Sequence, residues 1–226
     1  MTNMDKVTLC LTIGKRPKEL AQTLNSLINQ LKFQHIIAIN DFGDEATNQV
    51  FIEKCPQGQL INLGYNLGHH KAIDYMYQQV KTPYIFHCED DWLFDSQPDI
   101  AKAIQILETH PQISCIGFRK TDDFLYTPEQ RDAVKALGDD LVGYVRVDHL
   151  HEQWHGYSFN PHLAKTALWQ RHQPFANFKK ERHISRFLRK QGMHMLFLEQ
   201  GNCHHIGHES VSNPPKKTLW QKLKFW

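Results

Sequence analysis

The run Pro83-Tyr84-Ile85-Phe86-His87-Cys88-Glu89-Asp90-Asp91-Trp92 constrains this chain most. A short apolar, β-prone stretch opened by Thr82-Pro83 stops abruptly at three consecutive acids. That length and those boundaries predict a buried strand whose carboxyl end reaches the edge of a sheet. In open α/β sheets, ligands bind at the carboxyl ends of strands. Alternation along a strand points Glu89 and Asp91 one way and Asp90 the other. Two carboxylates on one side can hold a hard divalent cation whose remaining positions go to water and phosphate oxygens. Taken alone, such a triplet more often caps the next helix or lies solvated in a loop.

The flanking segments supply the context. Val7 to Ile13 alternates apolar residues with Thr8, Cys10 and Thr12, as a first strand does. It runs into the basic loop Gly14-Lys15-Arg16-Pro17-Lys18 and then a helix with Leu20, Leu24, Leu27, Ile28 and Leu31 on one face. His35 to Ile39 reads as a second strand, ending in the turn Asn40-Asp41-Phe42-Gly43-Asp44. Gln59 to Ile61 reads as a third strand, and an irregular Gly-containing loop then leads into a helix over about 69–80. Strand, helix, strand, helix, strand is the rhythm of a parallel α/β sheet. Beyond the acids, Ile100 to Leu107 predicts a helix, Ile113 to Phe118 a strand, Leu163 to Trp169 a short helix or strand, Glu181 to Gln191 a helix closed by Gly192, and Met195 to Leu198 a last strand. Residues 119–157 carry little periodicity apart from a strand-like Leu141 to Val147, and such irregular segments often hold substrate contacts. The expected organisation is one domain over 1–210 and a basic, aromatic tail over 211–226.

The formal charge of +2 over 226 residues gives no field that would recruit nucleic acid. Five cysteines without a C-x-x-C, three of them in strand-like runs, suit a reducing compartment. With neither an apolar leader nor an 18-residue apolar stretch, the expected location is cytoplasmic.

In this order the motifs resemble the nucleotide-sugar glycosyltransferases of the GT-A fold, in particular the large inverting family 2, over about 7–210. Thr12-Ile13-Gly14-Lys15-Arg16-Pro17-Lys18-Glu19-Leu20 is similar to that family's first strand and loop. Asn40-Asp41 stands at its acidic nucleoside-binding turn, with either residue able to align with the usual Asp. Asn62 to Ala72 is similar to the N-x-G-x-x-x-G-x-x-x-A segment under the nucleotide, and Glu89-Asp90-Asp91 takes the place of the metal-binding D-x-D. Glu181 matches the catalytic base of the family's E-D-x-E-L segment, although Lys180 replaces the Glu before it. His205-Ile206-Gly207 resembles the histidine that follows the last strand and completes the metal shell.

The resemblance implies a single-domain α/β GT-A fold, a mostly parallel sheet flanked by helices. It implies transfer of a sugar from a nucleotide sugar to a hydroxyl of a glycan or lipid-linked acceptor, in cell-surface polysaccharide or lipopolysaccharide synthesis. It also implies Mn2+ or Mg2+ held by Asp91, Glu89 and His205, with Glu181 as base. Thr12, Gly14, Arg16, Asn40, Asp41, Gly68, His70, Lys71 and Asp90 would bind the donor. Trp154, His155, Tyr157 and Phe159 form an aromatic cluster suited to sugar faces, and equally to a core. Two other readings stay open: a nucleotidyltransferase of related fold, whose Gly-rich first loop is missing, and a binding module without transfer activity. In the tail, Leu219, Trp220, Leu223 and Trp226 fall on one side of a potential helix beside Lys216, Lys217, Lys222 and Lys224. It either docks on the inner, anionic face of a membrane or packs back on the domain.

Overall fold

The computed structural model describes residues 2–207. In chain order the elements are β1 (Val7–Ile13), α1 (Pro17–Ile28), β2 (His35–Asn40), α2 (Glu45–Lys54), β3 (Gln59–Asn62), α3 (His69–Tyr77), β4 (Tyr84–Glu89), β5 (Trp92–Phe94), α4 (Ile100–Thr109) and β6 (Ile113–Gly117). There follow α5 (Pro128–Asp132), β7 (Lys135–Ala136), β8 (Tyr144–Arg146), β9 (His162–Lys165), α6 (Thr166–His172), α7 (Glu181–Lys190), β10 (His194–Leu198) and β11 (Cys203–His205). The tail lies outside the described residues.

A nine-stranded sheet has the order β3-β2-β1-β4-β9-β6-β10-β8-β7. Its strands run in a common direction except β8 and β9, which pair antiparallel with their neighbours. The fold is thus the α/β architecture expected, with a mostly parallel sheet. β1 and β4 lie inside the sheet, buried on both faces, so even the residues between their large apolar side chains, Thr8, Cys10 and His87, are small or paired. Leu20, Leu24 and Leu27 of α1, Phe51 of α2 and Ile104 and Leu107 of α4 pack on Leu9, Leu11 and Phe86 at one face. Ile73, Met76 and Tyr77 of α3, Trp169 of α6 and Ile184 and Leu188 of α7 cover the other.

Three local outcomes depart from the sequence reading. α2 went unseen because only Thr47, Asn48 and Phe51 are buried on it, so no apolar stripe marks it. The run Leu163 to Trp169 is strand and helix in succession, breaking at Thr166, whose Oγ1 donates to the Thr82 carbonyl at 2.8 Å. β5 and β11 form a separate antiparallel pair, each too short to leave a periodic signal.

Beneath the carboxyl end of β4 lies a buried histidine pair. His87 and His162 face each other across the β4–β9 ladder, ring centroids 5.5 Å apart. His87 Nδ1 bonds the Tyr77 hydroxyl at 2.8 Å and His162 Nδ1 bonds the Asn160 carbonyl at 2.9 Å, while neither Nε2 has a partner among the described residues. Burial lowers the His162 pKa to about 4, so the folded chain holds it neutral. An unfolded imidazole titrates near pH 6.5, so this stability is complete above that pH and is lost as pH falls towards 4. Buried Glu89 and Glu181 take up protons in the opposite sense, so the test is a difference. The stability gap between wild type and His162→Asn should shift by about 3 kcal/mol between pH 7 and 4, to the variant's benefit. Denaturant titrations at the two pH values measure it, and parallel pH profiles would count against this account.

Candidate active site

The site is built where β1, β2 and β4 end side by side. Their register aligns Thr12 with Glu89 and Ile13 with Asn40. A cleft of about 350 Å³ opens there, lined by Thr12, Arg16, Asp41, Gly68, Glu89 and Asp90, all expected from the sequence. Phe42, Asn66 and His69 line it as well.

Gly14 closes the first loop. Its N–H donates to Asp90 Oδ2 at 2.8 Å, and a Cβ on it would meet the Phe42 ring at 2.3 Å. Gly14→Ala is therefore expected to cost about 1–3 kcal/mol through overpacking, read as a lowered melting temperature. An unchanged melting temperature would show that the ring yields freely. Asp41 accepts the N–H groups of Leu67 at 2.5 Å and Gly68 at 3.0 Å, which ties the second strand end to the loop before α3. Burial raises its pKa against those two bonds.

Four donor-binding expectations lie outside the cleft lining: Gly14, which reaches it only through its bond to Asp90, and Asn40, His70 and Lys71. Asn40 is fully buried: its Nδ2 donates to Asn48 Oδ1 at 2.8 Å, and its Oδ1 accepts from the Phe42 and Gly43 N–H groups. Its amide holds the turn and leaves the cleft to Asp41. His70 turns away to bond the Phe178 carbonyl at 2.7 Å through Nδ1. Lys71 is exposed on α3 and does not line the cleft. His69, the first residue of α3 after Gly68, takes the place assigned to His70, a difference of one helical step that spacing alone does not resolve.

The acids differ from simple strand alternation, because β4 ends at Glu89 and Asp90-Asp91 form a turn. Arg16 pairs with Asp91 and lies 3.4 Å from Asp90, so those two meet one guanidinium instead of facing apart. Asp91 also meets His205: Nε2 lies 3.0 Å from Oδ2, brought 114 residues along the chain by the β5–β11 pairing. The Ile206 N–H donates to the Asp91 carbonyl at 2.8 Å. A Cβ on Gly207 would sit 2.3 Å from Asp91 Oδ2, so the chain there is packed around the carboxylate. Glu89 stands apart, facing the cleft with Trp92 Nε1 3.5 Å from its Oε2. Burial, then Asp91, Glu181 and Asp90, hold its pKa well above the usual range.

Among the described residues no three His, Cys, Asp or Glu side chains cluster as a closed metal site. The three-ligand expectation is thus reduced to Asp91 and His205. One carboxylate and one imidazole still suit a divalent cation that takes its other ligands from substrate phosphates and water. Cys203 is buried in the core and His204 pairs with Asp95 at 3.1 Å, so neither joins Asp91 and His205.

Glu181 opens α7 and borders a second cavity of about 450 Å³ with Arg119, Phe124, Tyr126, Trp154, His155 and Phe197 among its walls. Its Oε1 accepts the Phe159 N–H at 3.2 Å, and burial raises its pKa. Its charge is one of the causes, after burial and Asp91, that raise the pKa of Glu89. The aromatic cluster divides: Trp154 and His155 line the cavity, whereas Tyr157 and Phe159 pack in the core against Phe175.

The model of glycosyl transferase family 2 matches residues 9–205. The chain belongs to that family. This family 2 domain has the GT-A fold, as its likeness to solved structures also shows. GalNAc-T7, crystallised with UDP, GalNAc and Mn2+, superposes with a TM-score of 0.65 at 12% identity, over 95% of this chain and 46% of that one. The mannosyltransferase PcManGT from Pyrobaculum calidifontis, in complex with GDP-Man and Mn2+, gives 0.65 at 12% identity, over 91% and 58%. TarS from S. aureus gives 0.62 at 14% identity, over 89% and 37%. The chain therefore spans about half or less of the length of most of these proteins. No curated protein matches it by sequence. No helix among the described residues is long and apolar enough to cross a membrane.

Proposed function

We propose that this domain transfers a sugar from a nucleoside-diphosphate sugar to a hydroxyl of a glycan or lipid-linked acceptor, with inversion at the anomeric carbon. The observation that carries the reading is the contact between Asp91 and His205 behind Arg16, which pairs with Asp91 and lines a cleft formed by three parallel strand ends. The solved structures of similar fold that hold UDP or GDP-Man together with Mn2+ support it.

The donor nucleoside lies in the first cleft against Asp41, Phe42 and Thr12, with its diphosphate towards Arg16 and Asp91. Asp91 and His205 would hold Mn2+ or Mg2+, which supplies Lewis-acid neutralisation of the charge growing on the leaving diphosphate. Arg16 adds a second cation on the same side, and its pairing with Asp90 and Asp91 keeps it aimed there. The acceptor enters the second cavity, where Trp154 and Tyr126 offer faces for a sugar ring. Its hydroxyl oxygen forms a bond to the anomeric carbon while the bond from that carbon to the phosphate oxygen breaks. The bonding pair leaves with the diphosphate, and the hydroxyl proton passes to the Glu181 carboxylate. The biological setting fitted to this chemistry is cell-surface polysaccharide or lipopolysaccharide assembly at the cytoplasmic side of a membrane.

A thermal-shift panel of nucleotide sugars with and without Mn2+ tests the reading. A ligand that binds the folded state raises the melting temperature by mass action. At least one donor should do so more strongly with Mn2+ than without. A panel in which none stabilises the protein would contradict the assignment of the cleft.

A further inference from the structure

Residues 179–190 carry six Lys or Arg residues and one acid, Glu181, which is turned into the acceptor cavity. On α7, Glu181, Ile184, Ser185 and Leu188 form the inward side, with Ile184, Ser185 and Leu188 buried. Arg182, His183, Arg186 and Lys190 follow the opposite stripe at 3.6-residue spacing, and exposed Lys179 and Lys180 extend it beyond the helix start. Like charges at three- and four-residue spacing repel, so the stripe lowers the helix's own stability. Four surface cations elsewhere have acid partners, Lys120 with Asp95, Arg131 with Asp122, Arg146 with Asp148 and Lys165 with Glu108, while scattered ones such as Lys18, Lys54, Lys81 and Lys135 have none among the described residues. Among the described residues, Lys179, Lys180, Arg186 and Lys190 have none.

Phe187, 37% exposed, stands among these cations with its ring 5.2 Å from that of Phe178. None of Lys179, Lys180, Arg186 and Lys190 borders either cavity of the site. Long cationic side chains around an exposed aromatic, on the outer side of a helix, complement an extended negatively charged plane.

We propose that the outer face of α7 with Lys179 and Lys180 docks this domain on an anionic lipid bilayer. Glu181 starts the same helix, so docking would bring the acceptor cavity close to the bilayer surface. In that last respect the proposal rests on the function proposed above; the docking itself does not. The acceptor so presented would be lipid-linked. The lysines of the 211–226 tail would add to the same attraction.

Full-length protein is mixed with vesicles of phosphatidylglycerol and phosphatidylcholine, or of phosphatidylcholine alone, and recovered by flotation. Wild type should float with the anionic vesicles at low salt, release them as salt rises, and ignore the neutral ones. The variant Lys179→Gln/Lys180→Gln/Arg186→Gln/Lys190→Gln should lose at least about tenfold in partitioning, since each basic residue near the surface adds about 1 kcal/mol. Its melting temperature and its release of nucleoside diphosphate in solution should match wild type. A parallel variant, Lys216→Gln/Lys217→Gln/Lys222→Gln/Lys224→Gln, separates the tail. Failure of wild type to float at low salt would overturn the proposal, as would undiminished flotation of the α7 variant. Retention on heparin without vesicle binding would also overturn it, in favour of a polyanionic glycan. If wild type floats as expected but releases no diphosphate from any donor, the surface stands and the transfer reading falls.

Discussion

Asp91→Asn is expected to lower metal-dependent turnover by about a thousandfold or more. A cation at the leaving diphosphate contributes several kcal/mol in the transition state, and each 1.36 kcal/mol is tenfold in rate. Asn has nearly the same volume but no charge to bind the cation or oppose Arg16. The fold should weaken less than the rate. The Asp91 side chain is 3% exposed and that of Arg16 14%, so the pair is sheltered, yet Arg16 keeps Asp90 at 3.4 Å. A loss of about 1–3 kcal/mol follows from one charge-assisted bond, which lowers the melting temperature of a chain this size by no more than about 12 °C. Steady-state rates against Mn2+ concentration, beside thermal melts, separate the effects. Full activity in this variant would remove Asp91 from the metal shell.

Glu181→Gln is expected to lower kcat by about 10²–10⁴-fold, the usual contribution of a positioned general base. Donor affinity should stay within about threefold, because Glu181 borders the acceptor cavity and not the donor cleft. Gln keeps an oxygen to accept the Phe159 N–H, so α7 should start as before. The pH profile gives a second reading. Burial disfavours the carboxylate, and the base works only when deprotonated, so wild-type turnover should climb with pH through a pKa above the usual carboxylate range. The variant should lack that limb. Equal losses in kcat and donor binding would make Glu181 a structural residue of the helix start.

The parallel half of the sheet was legible because β1 alternates Val7, Leu9, Leu11 and Ile13 with small residues and β2 and β4 carry short apolar runs, between loops rich in Gly and acids. The same logic located Asp41, Glu89, Asp90 and Asp91 at strand ends. Strand alternation failed just past Glu89, where the chain turns and Arg16 gathers Asp90 and Asp91 together. Asn40 and Asp41 are adjacent and chemically alike, and only the tertiary bonds of Asn40 to Asn48 and the Gly43 N–H reveal which one is spent on the turn. His69 and His70 pose the same problem at a helix start. The second cavity was legible only as an irregular stretch, since Arg119, Phe124, Tyr126 and Trp154 come from loops between short elements and show no periodicity.

The proposed function has this cleft bind a nucleotide sugar and activate its diphosphate as a leaving group. Its most direct test is release of free nucleoside diphosphate from a panel of nucleotide sugars, with Mn2+ and with a chelator. Release is expected from at least one donor, lost on chelation and lost in Asp91→Asn. Release that persists unchanged with chelator, or no release from any donor that binds, would contradict it.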